Sequence, residues 1–194
     1  MLIEKMEKPA RKLRITGKGL CNISNLKPLD EFLDEIHPDS HFLRDAFKEF
    51  FNTQTVQFFN DRGVKTVVER GQRVFPESGK AREVSDALIR WAKSHGVEIV
   101  CYASGYTIAI EEGKVKGINI GLTEGKRSLL HTVECSGVVL ATGGKSYPAT
   151  GSTGDGYALA RECGHTIVTP RPSLVGVETD PVLTDAAGLF LKNV

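Results

Sequence analysis

The chain has 194 residues, 40% of them hydrophobic, and a formal net charge of +1 at pH 7. That is enough for one core of ordinary size, or for one domain and the start of another. The near-neutral charge gives no global field for nucleic acid or an anionic membrane. No apolar run reaches the roughly 18 residues of a membrane-spanning helix.

The N-terminus carries charges with no apolar stretch after them, so no secretory leader is expected. "MLIEK" reads as the end of a buried strand that stops at an acid, Glu4. Between Met1 and Lys27 there are seven Lys/Arg against two Glu, an asymmetry that points to an anion site. Within it, "RKLRITGKGLCNISN" mixes charge with glycine and small polar residues. As a ligand loop it would offset phosphates with Arg11, Lys12 and Lys18, and hydrogen-bond through Thr16, Asn22, Ser24 and Asn25. Gly17 and Gly19 interrupt the charges. A solvated basic loop is the alternative. Cys21 is the one cysteine inside this polar run, either as a small buried residue or as a nucleophile.

Residues 41–51 place Phe42, Ala46, Phe47, Phe50 and Phe51 on one helical stripe. A short helix is predicted over 55–60, stopping at Gly63. "GQRVFPESGKA" reads as a turn-rich connector. "AREVSDALIRWAKSHG" has the strongest helical period, with Val84, Ala87, Leu88, Trp91 and Ala92 on one face and Gly96 to end it. "VEIVCY" then reads as a buried strand. "YTIAIEE", "KVKGINIGL" and "SLLHTVEC" form a predicted β-meander with turns at Glu112-Gly113 and Glu124-Gly125.

"GVVLATGG" reads as a short apolar strand of the parallel-sheet kind, followed by a loop and a helix from Asp155 to Cys163. Asp155 is expected to cap that helix. Gly143 and Gly144 would allow close approach of backbone to a flat or charged group, and the helix start would face an anion. A plain strand-to-helix turn would use the same glycines. The stretch holds no GxxxxGK[ST] and no G-x-G-x-x-G, so a Walker loop and a dinucleotide fingerprint are both excluded there. Ser146 has no G-x-S-x-G elbow around it. The proline-bearing tail changes character. The domain expectation is 1–168 for one unit and 169–194 for the start of another.

The cysteines Cys21, Cys101, Cys135 and Cys163 form no CxxC pair, and the five histidines are scattered. Neither zinc nor a disulfide framework is expected, and a reducing, cytoplasmic setting is the simplest reading.

Three segments occur in order: "RKLRITGKGLCNISN", "GQRVFPESGKAREVSDAL" and "ATGGKSYPATGSTGDGYALARECGH". Together they closely resemble the HI0933-like family of bacterial flavoproteins, over nearly the whole chain. The resemblance implies an α/β fold: a Rossmann-like, two-dinucleotide-binding FAD domain with a β-meander. It further implies that the first βα unit and its G-x-G-x-x-G are missing here, and that the tail begins an inserted β-rich domain. It implies Glu4 on the adenosine ribose, the Arg11–Asn25 loop (with Gly17, Gly19 and Cys21) along the pyrophosphate, and Thr107 near the adenine. Thr142, Gly143 and Gly144 match its second glycine turn, the continuation from Tyr147 to Asp155 would lie near the crossing into the insert, and Ala141 and Tyr147 join the implied cofactor contacts. Two departures stand out: Leu20 where the family usually has Arg, and Ala10 where it usually has Gly.

The implied function is flavin-dependent oxidoreduction: hydride transfer between a nicotinamide (NADH or NADPH), FAD and an organic small molecule, without a nucleic-acid or membrane partner. No catalytic acid or base is identified. The rival expectation is a truncated, non-enzymatic product. A sheet lacking its first strand bares apolar surface, and at about 25 cal/mol per Å² a few hundred Å² costs several kcal/mol. Weak stability and poor FAD binding follow from that reading. A module that uses the basic loop for another anion is the third.

Overall fold

The computed structural model describes residues 1–124, 127–173 and Asp180. The predicted insert is therefore almost wholly outside the described residues, and so is the Gly125 half of the second meander turn.

Strand β1 (Leu2–Glu4) runs parallel to β5 (Ile99–Cys101), with Leu2 opposite Ile99 and Glu4 opposite Cys101. Both strands were expected. Between them the chain builds a helical layer and a small antiparallel sheet. Helix α5 (Ala81–Ser94) forms for the reason its sequence suggests: it turns Ala81, Val84 and Ala87 inward on one face. Its end is a glycine stop. Gly96, at φ +77°, donates to Lys93 O, and Val97 N donates to Ala92 O.

Helix α4 (Asn52–Asn60) packs Phe59 against that face, and Cys21, Val64, Ala81, Val84 and Ala87 complete the cluster. Burying a Val or Phe side chain contributes roughly 1.5–3 kcal/mol, so this cluster is a main source of stability among the described residues. Buried Asn52 donates to Asn25 O at 2.8 Å and Lys27 O at 2.9 Å, which pins the end of the basic loop to α4.

Three expectations need correction here. "GQRVFPESGKA" is no mere connector: β4 (Arg73–Pro76) is the central strand between β2 (Ser24–Asn25) and β3 (Thr66–Glu69), with Val74 and Phe75 buried. Proline and glycine at its ends hid a strand whose interior is apolar. The basic run is also more ordered than a loop, because it contains α1 (Arg11–Ile15), a 3-10 turn (Thr16–Gly19) and β2.

The third concerns the phenylalanine stripe. In α3 (His41–Glu49) and the residues after it, Phe47 and Phe51 meet Phe32 of α2 (Leu29–Asp34) edge-on, at 5.6 and 5.1 Å between ring centroids. Phe42 faces solvent, and Phe50 is half exposed. A stripe broad enough for five apolar residues exceeds what one short partner helix can cover.

The meander forms as expected from β6 (Ala103–Glu111), β7 (Lys114–Glu124) and β8 (Arg127–Glu134), all antiparallel. Glu112 and Gly113 both take positive φ (50° and 73°), the two-residue turn that matches strand twist. Helix α6 (Asp155–Glu162) lays Leu159 on the meander at Gly105 and Ile118.

Candidate functional site

The site is built at the carboxyl ends of the parallel pair, where open α/β sheets hold ligands. Glu4 ends β1, and its Oε1 accepts the Met6 N–H at 2.8 Å, so the chain turns tightly just past the strand. Its register partner Cys101 has a thiol pushed up by burial and, less, by the Glu4 carboxylate.

The turn after β1 meets the glycine loop. Lys5 Nζ pairs with Asp155 Oδ2 at 2.6 Å and also bonds Thr153 Oγ1. A Cβ on Gly151 would fall 2.9 Å from Met6 Cγ, so this glycine is what lets the two segments touch. Lys12, on α1, donates to Ser146 O at 3.1 Å and to Ser146 Oγ at 2.7 Å. The turn after β1 and the basic loop thus meet the glycine loop through Lys5 and Lys12, across separations of 150 and 134 residues.

Much of the local positive charge is spent inside the molecule. Arg14 pairs with Asp86 at 2.9 Å and donates from Nε to Ser85 Oγ, which docks α1 on α5. Arg11 stands 3.6 Å from Glu7, and Lys27 stands 3.0 Å from Glu35. The charge excess read from the sequence is therefore largely a fastening device.

Asp155 does not cap α6. The cap position belongs to Gly154, in the left-handed region, and no side-chain cap bond forms. Asp155 instead binds Lys5 and Thr153. Burial alone would raise its carboxyl pKa, yet the hydrogen bonds from Lys5 and Thr153 outweigh this and hold it below the usual carboxylate range. The α6 N-terminus therefore already holds an acid. Its Gly156 N–H is also taken, by Thr142 Oγ1 at 3.1 Å. A Cβ on Gly156 would lie 2.3 Å from that same oxygen.

The apolar run before the glycines departs from expectation. Val138–Ala141 joins no sheet in the structure, and Val139 is 91% exposed. A strand needs a ladder partner, and β1 has only β5 beside it. Ala141, Thr142 and Gly143 are exposed, and Gly143 has φ +74°. Gly144 is partly buried, with the Tyr157 hydroxyl 3.6 Å from where a Cβ would stand. Tyr147 is exposed at φ +55°, a left-handed conformation uncommon for a side-chain-bearing residue.

In the basic loop, Gly17 (φ +56°), Lys18 (φ +55°) and Gly19 (φ +90°) all take left-handed backbone. Thr16 Oγ1 donates back to Leu13 O at 2.7 Å. Cys21 is fully buried at φ +62°, and burial pushes its thiol up. It packs in the core cluster with Phe59, Val64 and Val84. Asn22 is exposed. Asn25 spends its side chain on Gly71 O and the Lys27 N–H. Ala10 stands at the start of α1 at φ +62°, a left-handed conformation that ordinarily favours glycine. Thr107 lies on β6, where its hydroxyl accepts from Asn119 Nδ2 at 3.0 Å. The structure does not bring it to the glycine loop through any bond.

Lys5 and Thr153 were not singled out in the sequence, and Ser146 was weighed there only as a nucleophile. A pair 150 residues apart leaves no local signal. Among the described residues no helix is long and apolar enough to cross a membrane.

The family model for the HI0933-like protein Rossmann domain matches residues 1–188. A 3-dehydro-bile acid delta(4,6)-reductase of Clostridium scindens is 33% identical over 177 residues, 90% of this chain and 40% of that protein. The ribosomal RNA dihydrouridine synthase of Haemophilus influenzae is 27% identical over 192 residues, 95% of this chain and 45% of that protein. The Escherichia coli protein of the same name is 27% identical over 177 residues, 90% and 41%. The chain thus spans less than half the length of these curated relatives. With an α/β structure, a parallel strand pair ending in Glu4 and a glycine turn fastened beside it, the chain belongs to the HI0933-like family of Rossmann-domain flavoproteins.

Proposed function

We propose that the chain is the dinucleotide-binding part of a flavin-dependent reductase that saturates a carbon–carbon double bond conjugated to a carbonyl group. The names of its relatives share that bond change. Forming dihydrouridine adds two hydrogens to a double bond conjugated to the uracil carbonyl. A 3-dehydro-bile acid with delta(4,6) unsaturation offers a conjugated ketone. The reading commits to this class of bond and leaves its carrier open.

FAD, when bound, supplies hydride transfer to the alkene, with NADH or NADPH as the electron donor. The remaining chemistry belongs to positioning. Glu4 has a second carboxylate oxygen to accept from ribose hydroxyls at the end of β1. Gly143 and Gly144 let backbone approach the adenosine diphosphate half. Arg11 and Lys12 offset pyrophosphate charge, and Thr16, Gly17, Gly19, Asn22 and Asn25 shape the loop that carries them. Cys21 supports that loop from the core. Ala141, Thr142 and Tyr147 frame the glycine turn, and Thr107 is left for the adenine side. No residue is assigned as acid or base.

The observation that carries this reading is the Lys5–Asp155 contact of 2.6 Å, which joins the carboxyl end of β1 to the glycine loop. The residues fit the cofactor on two counts. The turn keeps its backbone open at Gly143, and an acid stands at the strand end.

The test is the visible spectrum of the chain after incubation with FAD and desalting. A flavin band near one per chain, bleached by NADH or NADPH and restored by a conjugated ketone, is the expected result. Replacing Gly143 by Val should strip the band, because a β-branched residue resists φ near +74°. A colourless chain, or a band indifferent to that substitution, would overturn the assignment.

A further inference from the structure

The α4–α5 surface carries a feature that the glycine and basic loops do not use. Phe58 meets Trp91 edge-on, with ring centroids 5.1 Å apart at 81°. The Arg62 guanidinium carbon lies 3.5 Å from the Phe58 centroid and 5.1 Å from that of Trp91. Arg62 Nη1 donates to Phe58 O at 2.6 Å, so the guanidinium is anchored. Its Nε is buried without a hydrogen-bond partner, a donor the fold leaves unanswered.

Arg62, Ala87, Arg90, Trp91 and Ser94 line an open cleft of about 230 Å³. Trp91 is 38% exposed there, and Arg90 is exposed at the rim. Neither arginine has an ion pair among the described residues. The His95 ring lies 5.1 Å from the indole, a further polar ring beside it. Two guanidinium groups without ion pairs among the described residues, beside a partly exposed indole, suit a ligand that is flat at one end and anionic at the other.

We propose that this cleft binds a nucleotide unit, its base stacked on Trp91 and its phosphate held by Arg62 and Arg90. Aromatic stacking accepts any base, and a planar guanidinium matches phosphate geometry. The unit could come from a free nucleotide or from an RNA strand, and the two sources separate by experiment. The inference does not rest on flavin binding.

Trp91 is the only tryptophan of the chain, so its fluorescence reports this cleft directly. The 194-residue chain is titrated with uridine monophosphate, with a uridine oligonucleotide and with inorganic phosphate, each with and without FAD. Saturable quenching by the monophosphate that phosphate alone does not reproduce is expected. Arg90→Gln, a surface change that spares the core, should weaken it about tenfold. If RNA is the source, the oligonucleotide binds more tightly, and its salt slope falls by about one with the substitution. Equal affinity for both would assign a free nucleotide. Absent quenching, quenching matched by phosphate, or quenching untouched by both Arg90→Gln and Arg62→Gln would overturn the proposal. All these outcomes are read without flavin reduction, so failure here and failure of the reductase reading are distinct.

Discussion

The α4–α5 region and the glycine loop are held in place by different physics. Around α5, Val64, Val84, Ala81, Ala87 and Phe59 exclude water and are fastened by packing. From Cys135 to His165 only Ser152 and Leu159 are buried, and the loop is held by Lys5, Lys12 and a few hydroxyls. Packing contributes kilocalories per side chain, whereas an exposed ion pair contributes about 0–1 kcal/mol. The scaffold is therefore rigid where it carries no proposed cofactor contact beyond the base of the basic loop. It is lightly held where the backbone must meet a ligand, as functional loops commonly are.

The sharpest break in that comparison is a pair of truncations. Phe59→Ala empties a packed site and should cost about 3–5 kcal/mol. Val139→Ala, at an equally apolar but exposed position, should stay within about 0.5 kcal/mol. Urea unfolding of both variants checks this. Similar losses would mean that residues 138–141 are packed after all.

A smaller effect is expected at Gly156. An alanine there drives a Cβ into Thr142 Oγ1 and breaks the bond from the Gly156 N–H. Overpacking of this kind costs about 1–3 kcal/mol. Because the loop is lightly held, the larger consequence should be in flavin retention, seen as a lower FAD-to-chain ratio at unchanged helical circular dichroism. Retention equal to the parent would show that the α6 start does not shape the cofactor turn.

The smallest effect is the pH dependence of the Lys5–Asp155 tether. The Asp155 carboxyl is held below its ordinary pKa in the folded chain. Its contribution is therefore present above the unfolded value of about 4 and lost as pH falls through the folded one. Asp155 is 42% exposed in its side chain, so screening keeps the effect small. Melting temperatures of the parent chain and Asp155→Asn should differ at neutral pH and converge below about pH 4. A gap that persists in acid would assign the effect to something other than this charge.

How much was legible depended on the range of the interactions. Helix α5 and its Gly96 stop follow from period and chain stereochemistry, so the sequence-based reading found them. The meander is legible too, because its turn at Glu112-Gly113 and its alternation are local. Strand β4 was missed since Pro76 and Gly79 punctuate it, while its place between β2 and β3 is a long-range fact. The α6 cap was misassigned because Asp at a helix start usually caps, and here Lys5 and Thr153 draw it away. The apolar stripe of Phe42, Ala46, Phe47, Phe50 and Phe51 was read as one face because period alone does not show how wide a face the partner helix can cover.

By itself the amino-acid sequence determined the family, helix α5 with its Gly96 stop, and the meander with its Glu112-Gly113 turn. Those are properties of residue type and near-neighbour spacing. Only the tertiary structure decided that the positive charges of the first segment act mostly as internal clasps. It alone buries Cys21, and it alone sets Arg62 and Arg90 beside the one indole with no ion pair among the described residues. Each of these depends on which side chains distant in the chain come within a few ångströms, and charge and burial are settled at that range.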